Sequence, residues 1–290
     1  MQLTLMARPP FSLASVMRSH GWIRLPPFRE NETGDGLSYV GHLDKGQVVE
    51  LAMQEVRGGV RIQVNDGLSQ VEQNEVADQV KWVLGLDQDF STFYQLARHE
   101  PKLARAEERA QGRLLRSPTL FEDTVKTILT TNTAWGGTVR MVEALVAEFG
   151  PPLPADPTRH AFPTPQQLAA ADVEQLRRSV RLGYRAPYVL ELSRAIASGA
   201  LRLESLKTSA LPTHELRKRL LAIKGVGDYA AANLLMLLGR YDFVPVDSWA
   251  LKMVSREWHN GQPVGRAEVE SAFESFGEWK GLAYFLWDWS

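Results

Sequence analysis

The residues best suited to chemistry in this 290-residue chain fall in two short stretches. The first is Leu220-Leu221-Ala222-Ile223-Lys224-Gly225-Val226-Gly227-Asp228-Tyr229-Ala230-Ala231-Ala232-Asn233-Leu234-Leu235, which reads as helix, tight glycine turn, helix. Two glycines around one apolar residue let the backbone turn without a Cβ clash and approach another molecule closely. The second helix then offers free amide groups and the positive end of its dipole to an anion such as a phosphate. The same pattern also serves as a plain helix–helix turn. The second stretch, Phe243-Val244-Pro245-Val246-Asp247-Ser248-Trp249, places Asp247 20 residues after Gly227. Aspartate before Ser-Trp-Ala-Leu-Lys is a favourable helix N-cap. A carboxylate fixed there could also stabilise positive charge developing on a sugar that is losing its base, or orient and deprotonate an attacking water.

Around these stretches lie aromatic and polar candidates for a pocket. Tyr229 and Asn233 are four apart on one helix face, and Trp249 follows Asp247. The aromatic end Tyr284-Phe285-Leu286-Trp287-Asp288-Trp289 could contribute Tyr284 and Trp287, or could be helix-packing core. The histidines at 20, 42, 99, 160, 214 and 259 are scattered and form no divalent-metal spacing with the acidic residues. There is no cysteine, which excludes disulfides, thiolate zinc sites, cysteine nucleophiles and a cysteine-ligated iron–sulfur cluster. No Walker or dinucleotide glycine motif is present.

These residues need elements to hold them. Residues 1–85 read mostly as strand and turn: Leu37–Leu43, Val48–Met53 and the alternating Val60-Arg61-Ile62-Gln63-Val64 form an antiparallel meander with glycine-bearing turns. A short helix over Ser12–His20 precedes it. From about residue 86 the pattern becomes helical. One helix follows Ser117-Pro118-Thr119 and another runs over 138–149, before a proline-rich connecting loop at 151–165. Further helices are expected at 165–171, 172–181, 185–198, 213–222, 228–239, 248–259 and 265–276. The fold class is therefore α+β, with an N-terminal antiparallel β-rich domain at 1–90 and a helical body at 91–290. The helix-hairpin-helix occupies 213–239.

Composition bounds the reading. At 44% hydrophobic and 23% charged residues the chain is an ordinary globular one. No run of 18 apolar residues occurs, and the N-terminus lacks a basic flank with a long apolar stretch, so a membrane span or secretory signal is not expected. The expected setting is cytoplasmic. The net charge of −1 is unevenly distributed: −4 over residues 1–100, +7 over 101–224 and −4 over 225–290. A basic middle suits a polyanionic partner, although solvated helix faces would give the same counts.

Taken together, the motifs resemble the helix-hairpin-helix (HhH-GPD) DNA glycosylases of base excision repair, closest to the branch holding 3-methyladenine DNA glycosylase II and 8-oxoguanine DNA glycosylase. That family carries L-P-G-V-G and, after a spacer, V-P-V-D. This chain has Ile223-Lys224-Gly225-Val226-Gly227 and Val244-Pro245-Val246-Asp247, departing at Lys224 where proline is usual. Leu182-Gly183-Tyr184-Arg185-Ala186-Pro187-Tyr188 is similar to the family's L-G-Y-R-A-R-Y, and Ile128-Leu129-Thr130-Thr131-Asn132-Thr133 to its helix end with asparagine. The likeness spans nearly the whole chain and is sharp from about 117 to 255.

The resemblance implies a role for each matching residue. Asp247 would be catalytic. Gly225 and Gly227 would grip the DNA backbone, with Lys224 toward a phosphate. Tyr184 would wedge between bases, Arg185 would read the base left unpaired and Asn132 would fill the vacated space. The backbone carbonyls of Leu221, Ile223 and Val226 would hold a structural Na⁺ or K⁺, with no further cofactor required. Family members that also cut the strand carry a lysine two residues after the second hairpin glycine, a Schiff-base nucleophile. Tyr229 stands there, which implies a monofunctional enzyme using water. An electron-rich ring suits a cationic methylated purine by stacking and cation–π attraction, worth ~1–2 kcal/mol, so Tyr229, Asn233, Trp249 and Tyr284 become the expected base pocket. The expectation is a monomeric DNA glycosylase acting on damaged, alkylated purines in duplex DNA (nucleoid-associated if bacterial). The alternatives are excision of 8-oxoguanine, or a non-enzymatic binder of DNA or abasic sites.

Overall fold

The computed structural model describes residues 1–287. The chain forms two compact units, each assembled from two stretches of sequence: Met1–Gln88 with Arg113–Ser205, and Asp89–Gly112 with the chain from Leu206 onward. In chain order the strands are β1 (Gln2–Met6), β2 (Phe28–Glu30), β3 (Gly36–His42), β4 (Val48–Val56), β5 (Gly59–Val64), β6 (Pro152–Leu153) and β7 (Asp156–His160). The helices up to Ala197 are α1 (Leu13–Met17), α2 (Gln70–Leu84), α3 (Ser91–Ala97), α4 (Leu120–Thr130), α5 (Trp135–Phe149), α6 (Pro165–Ala169), α7 (Val173–Arg178) and α8 (Ala186–Ala197). They are followed by α9 (Thr213–Leu221), α10 (Asp228–Leu237), α11 (Ser248–Trp258), α12 (Arg266–Ala272) and α13 (Lys280–Leu286). The helical body expected over 91–290 is thus shared between the two units.

In the first unit the sheet runs β1-β5-β4-β3-β2, antiparallel throughout. The alternating residues Val60, Ile62 and Val64 of β5 are buried, as are Leu51 and Met53 of β4. The expected meander is there, with β1 added along β5. Helix α2 was not foreseen, since its stretch reads as strand and turn. A capping box starts it: the Ser69 amide donates to the Glu72 carboxylate at 2.8 Å, and the Ser69 hydroxyl accepts from the Glu72 amide at 3.4 Å. Residues 151–165 are also more than a connecting loop. Pro152–Leu153 pairs with Asp156–His160 as a small ribbon. Arg159 anchors it by an ion pair to Glu50 and a 3.0 Å hydrogen bond to the Ser38 hydroxyl, and Leu153 and Ala161 join Val40 and Val48 in the core.

Helix α4 has its residues 120–129 buried, three of them ionisable. Its first amides are satisfied from outside the helix, because the Glu204 carboxylate accepts from Leu120 and Phe121 at 3.0 Å each. The buried Lys126 ammonium donates to Glu122 at 2.6 Å, and the Tyr39 hydroxyl of β3 donates to the other Glu122 oxygen at 2.6 Å. The next residue, Asp123, accepts from the Trp22 indole at 2.8 Å and the Ser117 amide at 2.9 Å. Buried charges persist only when paired and hydrogen-bonded in this way. The network fixes the direction of α4, and so the place where α4 ends, at Thr130 and the loop bearing Asn132.

The second unit is helical. Its core includes an aromatic group that ties α3 to the C-terminal segment: Tyr241 stacks on Trp279 at 5.4 Å, and Phe90 and Phe93 lie 5.8 and 5.9 Å from the same indole. Trp287 is buried between Phe273 at 5.2 Å and Trp258 at 4.9 Å, so this member of the aromatic end is core. Asp288 and Trp289 lie outside the described residues.

Candidate active site

Within the second unit, α9, a six-residue turn over 222–227 and α10 form the expected helix-hairpin-helix. Leu216, Leu220, Leu234 and Leu235 are buried, as are Ile223 and Val226 of the turn, which leaves Ala222, Lys224 and Gly227 as its exposed residues. Gly225 has φ +86°, a left-handed conformation that a side chain would strain. Gly227 is the N-cap of α10, with open space where a Cβ would stand, so another molecule can approach the amide end of the helix. Lys224 is exposed on this turn. Leu221, Ile223 and Val226 follow one another around it. The Ile223 carbonyl already accepts the Val226 amide at 3.0 Å, so a cation there would share that oxygen. Among the described residues no cluster of three or more His, Asp or Glu could hold a metal ion.

Beside the hairpin lies a cavity of about 590 Å³ lined by Tyr229, Ala232, Asn233, Met236, Pro245, Asp247, Trp249, Tyr284 and Phe285. All five residues expected for catalysis and base binding meet here. Asp247 serves as the N-cap of α11: its Oδ1 accepts from the Trp249 amide at 3.0 Å and the Ala250 amide at 2.8 Å. The capping reading of Asp247 is thus met, and it occupies one of the two carboxylate oxygens. Two backbone donors orient the carboxylate through one oxygen, and Oδ2 has no protein partner among the described residues. Tyr229 and Trp249 are 44% and 52% exposed, an unusual state for large rings and one that suits contact with a planar ligand. The Asn233 side-chain amide donates to the Tyr229 carbonyl at 2.8 Å, so α10 presents both residues from adjacent turns. Among the described residues no lysine lines the cavity.

Two supports of this cavity were not read from the sequence. Arg217 of α9 forms an ion pair with Asp228, the first residue of α10, and its guanidinium lies 5.0 Å from the Phe243 ring. It thus joins both hairpin helices to the extended segment that leads into Asp247. On the far side of that segment, the Gly281 amide donates to the Tyr241 carbonyl at 2.6 Å. A Cβ on Gly281 would lie 2.3 Å from the Phe243 carbonyl oxygen, so only glycine permits this approach. Each link joins positions far apart in the chain, and no local pattern marks it.

The remaining predicted residues belong to the first unit. Asn132, itself at φ +46°, donates from its side-chain amide to the Tyr184 hydroxyl at 3.3 Å. Tyr184 is 49% exposed. Burial pushes its phenol up, but hydrogen bonds with Thr131 and Asn132 and the charge of Arg185 outweigh this and leave it below the usual tyrosine range. Arg185 is buried. It donates to the Thr131 carbonyl and lies 4.4 Å from the Tyr184 ring. In this arrangement its guanidinium joins the Asn132 loop to Tyr184, in place of the outward reach that reading an unpaired base requires.

A helix-hairpin-helix followed by a capped aspartate in an aromatic cavity is the architecture of a base-excision protein. The chain belongs to the HhH-GPD superfamily of base excision DNA repair proteins, whose family model matches residues 125–278. It is a DNA glycosylase by family. A probable N-glycosylase/DNA lyase of Methanothermobacter thermautotrophicus is 25% identical, with the alignment covering 92% of this chain and 89% of that protein. A DNA-3-methyladenine glycosylase of Bacillus subtilis is 23% identical over 82% of this chain and 84% of its own length. Among solved structures, the 8-oxoguanine glycosylase/lyase of Clostridium acetobutylicum, in complex with double-stranded DNA containing cytosine opposite 8-oxoG, superposes with a TM-score of 0.74. It is 21% identical and covers 99% of this chain and 96% of that one.

Proposed function

We propose that the protein hydrolyses the N-glycosidic bond of alkylated purines in duplex DNA and leaves the strand intact. One observation carries the reading: Tyr229, two residues after the second hairpin glycine, lines the same cavity as Asp247, and no lysine among the described residues does. An imine with the sugar needs an amine, which a phenol cannot supply. A flipped methylated base is cationic and would stack on Tyr229 or Trp249. As its bond to C1′ lengthens, positive charge grows on the sugar and the Asp247 carboxylate stabilises it. Water then adds to C1′ and loses a proton, with Asp247 as the acceptor or guide, and the base departs with the bonding electrons. In this reading the hairpin amides hold a DNA phosphate, Na⁺ or K⁺ on the turn carbonyls would stiffen the hairpin, and the Asn132–Tyr184 pair enters the duplex. The Bacillus subtilis relative's name supports the substrate class. The Asn132–Tyr184 contact and the Clostridium acetobutylicum neighbour favour 8-oxoguanine as the second reading. A binder without activity would leave Asp247 no chemical role.

The test is base release from methylated duplex DNA, followed by hot alkali. Free 3-methyladenine or 7-methylguanine is expected, with strand breaks only after alkali. Breaks without alkali would contradict the monofunctional mechanism, and release confined to an 8-oxoguanine duplex would contradict the substrate.

A further inference from the structure

The helix expected over 172–181 stops short, because α7 ends at Arg178. The chain then turns so that the Leu182 amide returns to the Leu176 carbonyl at 3.1 Å, and the turn runs through Arg181 at φ +60°. A residue with a Cβ is strained in this left-handed region, where glycine is at ease. Asparagine visits this region more readily than other residues with a Cβ, as Asn132 does at φ +46°, whereas arginine rarely does. The Arg181 side chain is exposed and forms no ion pair with any described residue. Its neighbours differ, since Arg177 and Arg178 are both tied to Glu174, at 2.6 and 3.5 Å. An unpaired cation is therefore held at a strained backbone position three residues before Tyr184.

Such backbone outliers cluster at functional sites, and among the described non-glycine residues at positive φ (Ala110, Asn132, Arg181 and Asn260) Arg181 alone carries a charge. We propose that Arg181 binds a backbone phosphate of DNA beside the point where Tyr184 enters the duplex. The proposal rests on the reading of Tyr184 as the intruding residue. A guanidinium offers a phosphate paired, charge-assisted donors, and an arginine without an acidic partner gives up no ion pair to do so.

Fluorescence anisotropy with a labelled duplex carrying a stable abasic-site analogue tests it, over roughly 50 to 200 mM NaCl. Arg181→Gly removes the cation and relieves the backbone, so its Tm should hold or rise. The same variant should bind DNA about three- to tenfold more weakly at the lowest salt, with the slope of log affinity against log salt reduced by ~0.9. Arg181→Lys should keep most of that slope. Wild-type affinity and slope in Arg181→Gly would overturn the proposal, as would weaker binding accompanied by a clear fall in Tm, which would mark a structural role. If the wild-type protein binds no duplex, the underlying reading falls. If it binds and Arg181→Gly binds equally well, this proposal alone falls.

Discussion

Asp247 caps a helix with one carboxylate oxygen and leaves the other without a protein partner among the described residues, so the cap and the proposed chemistry would not compete. Asp123 and His20 show the converse at residue scale, as buried groups whose charges the fold resists. Burial raises Asp123 to about 6 and lowers His20 to about 4. Folding favours protonated Asp123, so its contribution is present below the ordinary carboxylate range and is lost as pH rises through about 6. Folding favours neutral His20, so its contribution is present above the ordinary imidazole value and is lost as pH falls toward about 4. Between about 4 and 6 the two effects oppose each other. Asp123→Asn removes the acid-favoured one, so Tm of the variant should fall more steeply than wild type on acidification from near neutrality to about pH 4. Parallel Tm profiles, measured by circular dichroism in matched buffers, would contradict this.

At the scale of elements, the segment from Tyr241 to Asp247 is set by its neighbours more than by its own conformation. Arg217 holds Phe243 on one side, and α13 meets the segment's backbone at Gly281 on the other. Gly281→Ala places a methyl group against two backbone carbonyls, and neither can move without shifting the segment or the helix that carries Tyr284. Overpacking of this type costs about 1–3 kcal/mol. The variant is expected to lose that stability in urea titrations and to excise bases more slowly at saturating DNA. Unchanged stability with wild-type turnover would show that the close approach does not position the site. Helix α4 follows the same logic in the first unit, where Glu122, Lys126 and Tyr39 set the line along which the Asn132 loop is presented.

Across the whole molecule, local chemistry was legible in the sequence and long-range assembly was not. The hairpin, Asp247, its aromatic companions and most helix boundaries rest on short-range rules such as glycine turns, caps and periodicity, and Asp247, Tyr229, Asn233, Trp249 and Tyr284 line one cavity. Helix α2 escaped notice although its signal is local: Ser69 and Glu72 have capping-box spacing and Val76, Val80, Val83 and Leu84 recur at helical spacing, in a stretch whose four valines favour strand. The buried Glu122–Lys126 pair looks in sequence like an ordinary exposed i, i+4 pair, and only its enclosure by the fold makes it structural. Arg185 carries a motif whose outward role its burial does not match. The partition into two units, each formed from separated stretches, leaves no local mark at all. The most direct single measurement is single-turnover base release from methylated duplex DNA by wild-type protein and Asp247→Asn, with duplex affinity measured in parallel. Loss of about a hundredfold or more in rate with affinity nearly unchanged is expected if the carboxylate stabilises the transition state. Release by Asp247→Asn at the wild-type rate would contradict the assignment.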